Sequence, residues 1–484
     1  MGVMGGGTNE ALTSVAERST LSAPGTSPAP RDFLWGAATS AYQIEGSAGA
    51  DGRGPSIWDT FCHTPGRVRN GETGDIAIDH YRLMEDDVAL MARLGLRAYR
   101  FSVAWPRVLP QGRGAVNQAG LDFYRRLVDR LLESGIEPVP TLYHWDLPES
   151  LQQDGGWTSR STAQAFATYA AVVGDALGDR ATRFLTLNEP WCSAFLGYAS
   201  GVHAPGIKDP ESAVRATHHL LLAHGLGLEE LRAAGVSEAG ITLNLFAVSP
   251  ASDSDEDRDA ARAIDGLQNR LFLDPILKGT YPEDVLARFS RICDLSMIQP
   301  GDLQTISAPI DILGVNYYTR HTVTATPKSP TEAASQWVGA ESIGLVKPEG
   351  ATTAMGWPVD AVGLAEVLTQ VGRDYDAPPI MITENGAAYD DVIDEQGVVD
   401  DSERIRYIDA HIDAVKRAID QGIDVRGYFV WSLFDNFEWA QGYSKRFGII
   451  YVDYPSQRRL FKASAFWYRD LISRHLKEGV DGET

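Results

Sequence analysis

The sequence predicts an α/β fold: a single (β/α)8 TIM barrel with long loops at the C-terminal face of its strands. Eight strand-like segments alternate with helical ones along 484 residues, and strict alternation of this kind makes a parallel sheet covered by helices. The strand segments are near-continuous apolar runs, as strands buried on both faces must be. No Gly-rich phosphate turn follows the first strand, as it usually does in an open doubly wound sheet. Eight such units are the number that closes a barrel.

The elements follow in order. Residues 33–42, small and aromatic, read as the first strand, running into Gln43-Ile44-Glu45-Gly46. Tyr81, Met84, Val88, Met91 and Leu94 recur at helical spacing over 79–94, with Gly95 as a stop. Strand 98–105 precedes a helix at 118–134 closed by Gly135, and strand 137–144 precedes a helix near 161–177. Arg183-Phe184-Leu185-Thr186-Leu187-Asn188 is the fourth strand, ended by Glu189 and by Pro190, which has no N–H for a ladder. A helix around 211–234, closed by Gly235, is followed by strand 241–246 and helical sequence over 256–273. Strand 311–318 and a helix near 360–373 flank residues 321–358, which lack periodicity and read as a long loop on the catalytic rim. Strand 380–384, broken by Gly386, leads to a helix over 402–421 closed by Gly422; strand 427–433 and a helix near 463–476 complete the series. Asp253-Ser254-Asp255-Glu256-Asp257 reads as a solvated helix start, acids being favoured near the positive end of the dipole. The barrel thus spans 31–476, between a disordered N-terminal tail (1–30) and a flexible C-terminal tail (477–484).

Composition narrows the function. A hydrophobic content of 44% with 22% charged residues is that of a globular protein with ample core. A net charge of −22 argues against nucleic acid and anionic membrane as partners, since both demand a basic face, and is unfavourable to a polyanionic substrate. No apolar run approaches the roughly 18 residues of a membrane helix. The first residues lack the basic-then-apolar order of a signal peptide. The three cysteines, Cys62, Cys192 and Cys293, make neither a disulfide framework nor a metal site, so a soluble cytoplasmic protein is expected.

The ends of the strands carry the chemistry, because a parallel barrel gathers its site at the C-terminal face. There the sequence places Gln43, Arg100, His144, Trp145, Asn188, Glu189, Asn316, Tyr318, Glu384, Trp431, Glu438 and Trp439. Amides and carboxylates bind vicinal hydroxyls, and indole faces pack against the C–H face of a pyranose. Two carboxylates in unlike environments can divide acid and nucleophile roles around a glycosidic bond. No Ser or Cys nucleophile with a His partner stands out. His218, His219 and His224 share a helix, but neighbours one apart diverge and no carboxylate joins them at ligand spacing, so no metal and no cofactor is expected.

Ordered motifs sharpen the reading. They are Tyr42-Gln43-Ile44-Glu45-Gly46, Tyr99-Arg100-Phe101-Ser102 with Trp105-Pro106-Arg107, Tyr143-His144-Trp145-Asp146-Leu147-Pro148 and Thr186-Leu187-Asn188-Glu189-Pro190. They continue with Gly314-Val315-Asn316-Tyr317-Tyr318, Ile382-Thr383-Glu384-Asn385-Gly386 and Trp431-Ser432-Leu433-Phe434-Asp435-Asn436-Phe437-Glu438-Trp439. Together they closely resemble the β-glucosidases of glycoside hydrolase family 1, over about residues 31–476.

The resemblance implies a retaining double displacement on a small-molecule β-glycoside, with carboxyl groups about 5–5.5 Å apart. Glu384 matches the nucleophile and Glu189 the acid/base. Arg100, Asn316 and Tyr318 match supporting positions, and Asn188 the partner of the sugar 2-hydroxyl. Gln43, His144, Glu438 and Trp439 match residues that grip the other hydroxyls, with Trp145 beside them. Trp431 matches the platform under the ring and Trp357 the aromatic against the aglycone; Phe447, and with it Tyr443, is placed in the last loop around the site. Glu45 and Asp146 read as structural, and Cys192 as a small packed residue. Two rivals are a 6-phospho-β-glucosidase, for which Lys445 and Tyr443 resemble a phosphate-binding pair, and a catalytically silent sugar-binding protein. Glycone preference among glucosides, galactosides and fucosides, and a homo-oligomeric state, are left open.

Overall fold

The computed structural model describes residues 29–327, 336–347 and 349–481. All of the expected N-terminal tail but its last two residues, and positions 328–335 of the rim loop, lie outside the described residues. Eight parallel strands close a barrel: β1 (Leu34–Ala38), β2 (Ala98–Ser102), β3 (Glu137–Tyr143), β4 (Arg183–Asn188), β5 (Glu238–Asn244), β6 (Ile312–Asn316), β7 (Ile380–Asn385) and β8 (Val425–Trp431). Each pairs with its neighbours in sequence, and β1 pairs with β8 from Leu34–Gly427 to Ala38–Trp431.

The helices that wrap the barrel are α1 (His80–Arg93), α2 (Gln118–Glu133), α3 (Arg160–Leu177), α4 (Pro210–Ala233), α5 (Asp255–Asp265), α6 (Ala361–Asp374), α7 (Ser402–Asp420) and α8 (Ala463–Asp481). Most bury one stripe, whereas α4 is buried nearly all round from Ala216 to Gly225. In α2 the stripe is Leu121, Tyr124, Leu127, Val128 and Leu131, each burial being worth about 1.5–3 kcal/mol. Caps set the ends: Asp209 accepts from Ser212 N at 2.9 Å before Pro210 opens α4, and Ser254 accepts from Asp257 N where the acidic run starts α5. Gly135 and Gly422, predicted as stops, take φ of 70° and 88°, a left-handed conformation that only glycine adopts freely.

Five sequence expectations change. The run 33–42 does not stay extended, because Ser102 Oγ accepts from Ala41 N at 2.7 Å and Ala41–Ile44 coils into one helical turn. Strand 98–105 ends at Ser102, and Trp105–Val108 turns helical around Pro106. The helix expected over 256–273 is broken by a π-turn at Gly266–Arg270 and resumes as Leu271–Leu277. Within the expected rim loop, Arg320–Thr324 pairs with Ala247–Pro250 and with Gly344–Leu345 in a small outer sheet. The last helix runs on to Asp481.

The sheet loses its regular register where β4 meets β5 beyond Leu185, and where β7 meets both neighbours beyond Ile382. Such irregularities re-aim side chains at barrel rims, and here they fall at Asn188–Glu189 and Glu384. Gly386 keeps β7 against β8: a Cβ there would lie 1.6 Å from the Trp431 carbonyl oxygen. Gly386→Ala is therefore expected to displace both strands, lowering stability by about 2–4 kcal/mol and activity with it. Denaturant unfolding and turnover of a nitrophenyl glycoside check this.

Candidate active site

The strand ends converge on one cavity of about 920 Å³ whose wall includes Glu189, Glu384, His144, Trp145, Tyr318 and Glu438. Glu189 follows β4 with φ +47°, a left-handed residue costing about 1–2 kcal/mol, while its N–H is fixed to Thr242 O at 3.0 Å. Its side chain is thereby turned off the strand axis into the mouth, where it is buried. Glu384, one residue before the end of β7, is buried as well.

The two carboxyls have unlike partners. Glu384 Oε1 pairs with Arg100 Nη1 at 2.5 Å, and Oε2 accepts from the Tyr318 hydroxyl at 2.6 Å. Glu189 meets no cation: Asn316 Nδ2 donates to Oε1 at 2.6 Å and the Cys192 thiol to Oε2 at 3.2 Å. Burial and then the charge of Glu384 push Glu189 up to about 8. Burial raises Glu384 too, but Arg100 first and then the Tyr318 hydroxyl oppose it. The cation and the hydroxyl favour the charged form of Glu384, whereas burial beside a like charge favours the protonated form of Glu189.

Arg100 lies fully buried beneath both. It donates to Thr141 Oγ1 (3.1 Å), Thr383 O (3.3 Å), Glu384 and Asn188 Oδ1 (2.6 Å). Asn188 Oδ1 also accepts from Asn316 Nδ2 at 3.1 Å, so its amide nitrogen must face His144 Nε2, 3.0 Å away. An N–H aimed at Nε2 makes that atom the acceptor and places the ring proton on Nδ1. His144 Nδ1 has no hydrogen-bond partner among the described residues. Burial and then Arg100 depress His144 well below its ordinary value, so the ring is neutral.

Aromatic residues form the rest of the wall. Trp439 packs on Trp145 and Trp58, each 4.6 Å away between ring centres, and on Tyr42. His144 stacks on Trp431 at 5.7 Å. Trp357 and Phe447 flank Tyr318 at 5.6 and 6.2 Å. The loop after β8 that carries Glu438, Trp439 and Phe447 is tied down by buried charges: Asp435 accepts from Arg446 (2.6 Å), Lys462 (2.7 Å) and Gly448 N (3.0 Å). Glu438, half-buried, is pushed up to about 8 by desolvation, then by Glu384 and Glu189.

Of the expected residues, Gln43 does not reach the cavity wall. It is fully buried behind Glu438, donating to Asn436 Oδ1, Phe437 O and, at 3.5 Å, Glu438 Oε2. Arg100, Asn188 and Asn316 also lie beneath the wall, while His144, Trp145, Tyr318, Trp357, Trp431, Glu438, Trp439 and Phe447 line it. Tyr443 turns away, its hydroxyl donating to Thr73 O at 2.7 Å. Glu45 is structural, receiving Arg107 and Tyr124, and Asp146 is buried with its carboxyl pushed up to about 7. His218 lies between Tyr281 and Asp302, and no group able to hold a metal occurs among the described residues.

Sequence reasoning missed Cys192 as a partner of Glu189; the i, i+3 spacing across the turn at Pro190 was the available signal. It also missed Thr383 Oγ1, which fixes Asn316 Oδ1 at 2.7 Å. The outer wall of Phe246, His321 and Trp337 was missed too; His321 and Trp337 come from the aperiodic rim segment, and Phe246 lies just past the end of β5.

Two carboxyls with such unlike partners across one aromatic-walled cavity can protonate a leaving oxygen and attack a carbon, which is the chemistry of a glycoside hydrolase. The chain belongs to glycosyl hydrolase family 1, whose family model matches residues 26–477. It is 48% identical to β-glucosidase A of Thermotoga maritima over 92% of this chain and 98% of that relative. It is 53% identical to thermostable β-glucosidase B of Thermobispora bispora, over 92% and 91% respectively. A bifunctional β-D-glucosidase/β-D-fucosidase of Bifidobacterium breve is 48% identical over 92% and 98%. The crystal structure of a psychrophilic β-glucosidase from Micrococcus antarcticus superposes with a TM-score of 0.90 at 49% identity, covering 92% of this chain and 97% of that one.

Tyr318→Phe removes a donor from Glu384 and raises its pKa further. The acidic limb of kcat/KM for a nitrophenyl β-glycoside is then expected to move to higher pH. A fall of about 10- to 100-fold near neutrality should accompany it.

Proposed function

We propose that this family 1 enzyme is a retaining β-glucosidase that removes terminal non-reducing β-D-glucosyl residues from cellobiose, short cello-oligosaccharides and aryl β-glucosides. Glu384 attacks the anomeric carbon while Glu189 gives its proton to the departing glycosidic oxygen, leaving a glucosyl ester on Glu384. Esterification removes the Glu384 charge, the second cause of the raised Glu189 pKa. Glu189 is then more acidic and, ionised, takes a proton from the water that cleaves the ester. The observation that carries this reading is the asymmetry of the pair: Arg100 and Tyr318 on Glu384, an amide and a thiol on Glu189.

The remaining residues fit a pyranose. Asn188 orients His144 from beneath the wall, His144 Nδ1 offers a donor, Glu438 offers acceptors, and Gln43 holds Glu438. Trp431 and Trp439 present faces for the ring, and Trp357 with Phe447 flanks the exit toward the aglycone. The name of the Bifidobacterium breve relative supports extending the glycone range to β-fucosides, and β-galactosides belong to the same range. Three free cysteines suit a cytoplasmic enzyme completing cellulose breakdown. No described helix is long and apolar enough to cross a membrane.

A 6-phosphorylated substrate is disfavoured. Lys445 Nζ donates to Ala354 O at 2.5 Å and Tyr443 to Thr73 O, while Glu438 would repel a phosphate dianion. A silent binding protein is disfavoured by the presence of both carboxyls.

Glu384→Ala is expected to reduce turnover of nitrophenyl β-glucoside on the order of 10⁴-fold or more, with the β-anomer of glucose as first product of the wild type by proton NMR. Sugar binding without turnover in both proteins, or preference for the 6-phosphate, would reject this reading. Since the acid must be protonated, kcat/KM should fall as pH rises through about 8, the value to which Glu189 is raised. Glu189→Gln should abolish that limb and spare kcat/KM for dinitrophenyl substrates, whose leaving group needs no proton, while their kcat falls because the base for ester hydrolysis is gone.

A further inference from the structure

Each carboxyl oxygen of Glu189 meets one donor, and the two donors differ in kind. Oε1 receives the Asn316 amide at 2.6 Å; Oε2 receives the Cys192 thiol at 3.2 Å. The backbone builds this contact. After Pro190 the chain coils, Cys192 N donates to Glu189 O at 2.9 Å, and a π-helix runs from Cys192 to Ala199. The side chain three residues on is thus returned against the carboxyl. Asn244 Nδ2, at the end of β5, approaches the sulfur from its other side at 3.6 Å. The sulfur is buried, and burial together with the neighbouring carboxylates keeps it a thiol.

We propose that Cys192 is a positioning residue for the acid/base, acting through Oε2 of Glu189. This rests on the role given to Glu189 above. With Oε1 occupied by an amide N–H, the carboxyl proton resides on Oε2. Sulfur is a weak acceptor, so it leaves that proton to the glycosidic oxygen, where a hydroxyl would compete for it. Once Glu189 has given up its proton, Oε2 needs a donor, and the S–H supplies it until water is deprotonated. One group thus serves both half-reactions by being a poor acceptor in the first and an adequate donor in the second. No bond to sulfur forms at any stage.

The charged and titratable groups facing Glu189 from other elements are Glu384 on β7, Arg100 on β2, Tyr318 after β6, Glu438 after β8 and neutral His144 after β3. Substitution at 192 alters none of them.

The test is the pH profile of Cys192→Val, which keeps the volume and removes the donor. The basic limb of kcat/KM should move up by about 0.5–1 pH unit. Turnover of a dinitrophenyl β-glucoside at pH 6, limited by hydrolysis of the ester, should fall about three- to tenfold. Cys192→Ser should move the limb the other way and penalise substrates with poor leaving groups most. A second readout uses the wild type: trapping the ester with a 2-deoxy-2-fluoroglucoside ionises Glu189, and the infrared S–H stretch of Cys192 should shift to lower frequency. Cys62→Ala and Cys293→Ala assign that band. A limb that overlays the wild type's in Cys192→Val, or an S–H band unmoved by trapping, overturns the proposal. If Cys192→Val does not fold, Cys192→Ala reads the same limb. A limb that persists in Glu189→Gln overturns the role of Glu189 itself, and the thiol's with it; a limb lost there but unmoved at 192 overturns the thiol's alone.

Discussion

One guanidinium holds the barrel mouth together. Arg100 is wholly buried, and its hydrogen bonds reach β3, β4 and β7 at once through Thr141, Asn188, Thr383 and Glu384. Of the carboxyls that line the cavity, those of Glu189, Glu384 and Glu438 stand at the strand ends above it. A buried charge costs several kcal/mol unless matched, so one cation can sustain one carboxylate well. Arg100 pairs with Glu384, and the other two carboxyls are raised to about 8. The difference between Glu189 and Glu384 is therefore a question of which of them the arginine reaches. A lysine there could not span four acceptors, because only the planar fork offers donors in so many directions.

The same guanidinium sets finer details. By fixing Asn188 Oδ1 it turns the amide nitrogen toward His144, and that contact fixes the tautomer of the imidazole. A chain of three side chains thus carries orientation from the floor of the barrel to the cavity wall. The opposite wall uses another device: the loop after β8 is stitched to α7 and α8 by Asp435, Arg446, Lys462, Asp391 and Arg404. Rigid placement of Glu438 and Trp439 follows from that lattice of charge and not from the barrel itself.

The barrel was legible in the sequence because its strands are buried on both faces and so read as plain apolar runs, each closed by a residue that cannot continue. The two glutamates were legible for the same reason, as charges ending such runs. Gln43 was misplaced because Ala41–Ile44 leaves the strand for a helical turn once Ser102 Oγ claims the Ala41 N–H. The outer sheet was invisible because Arg320–Thr324 finds its partner some seventy positions back, at Ala247–Pro250, and no local pattern encodes that meeting. Cys192 was read as packing because a thiol reveals a polar role only by what stands beside it.

Closure of the barrel joins β1 to β8, and Gln43 to Asn436 and Glu438 across nearly four hundred residues. The glycone pocket is therefore the last thing the polypeptide can complete. A nascent chain carrying Glu189 and even Arg100 has neither the counter-carboxylate from β7 nor the tryptophan floor from β8. Until the final quarter emerges from the ribosome, an open and apolar sheet edge stands where β8 will dock. Synthesis of such an enzyme must pass through a stage in which most of its hydrophobic interior is made and none of its chemistry is.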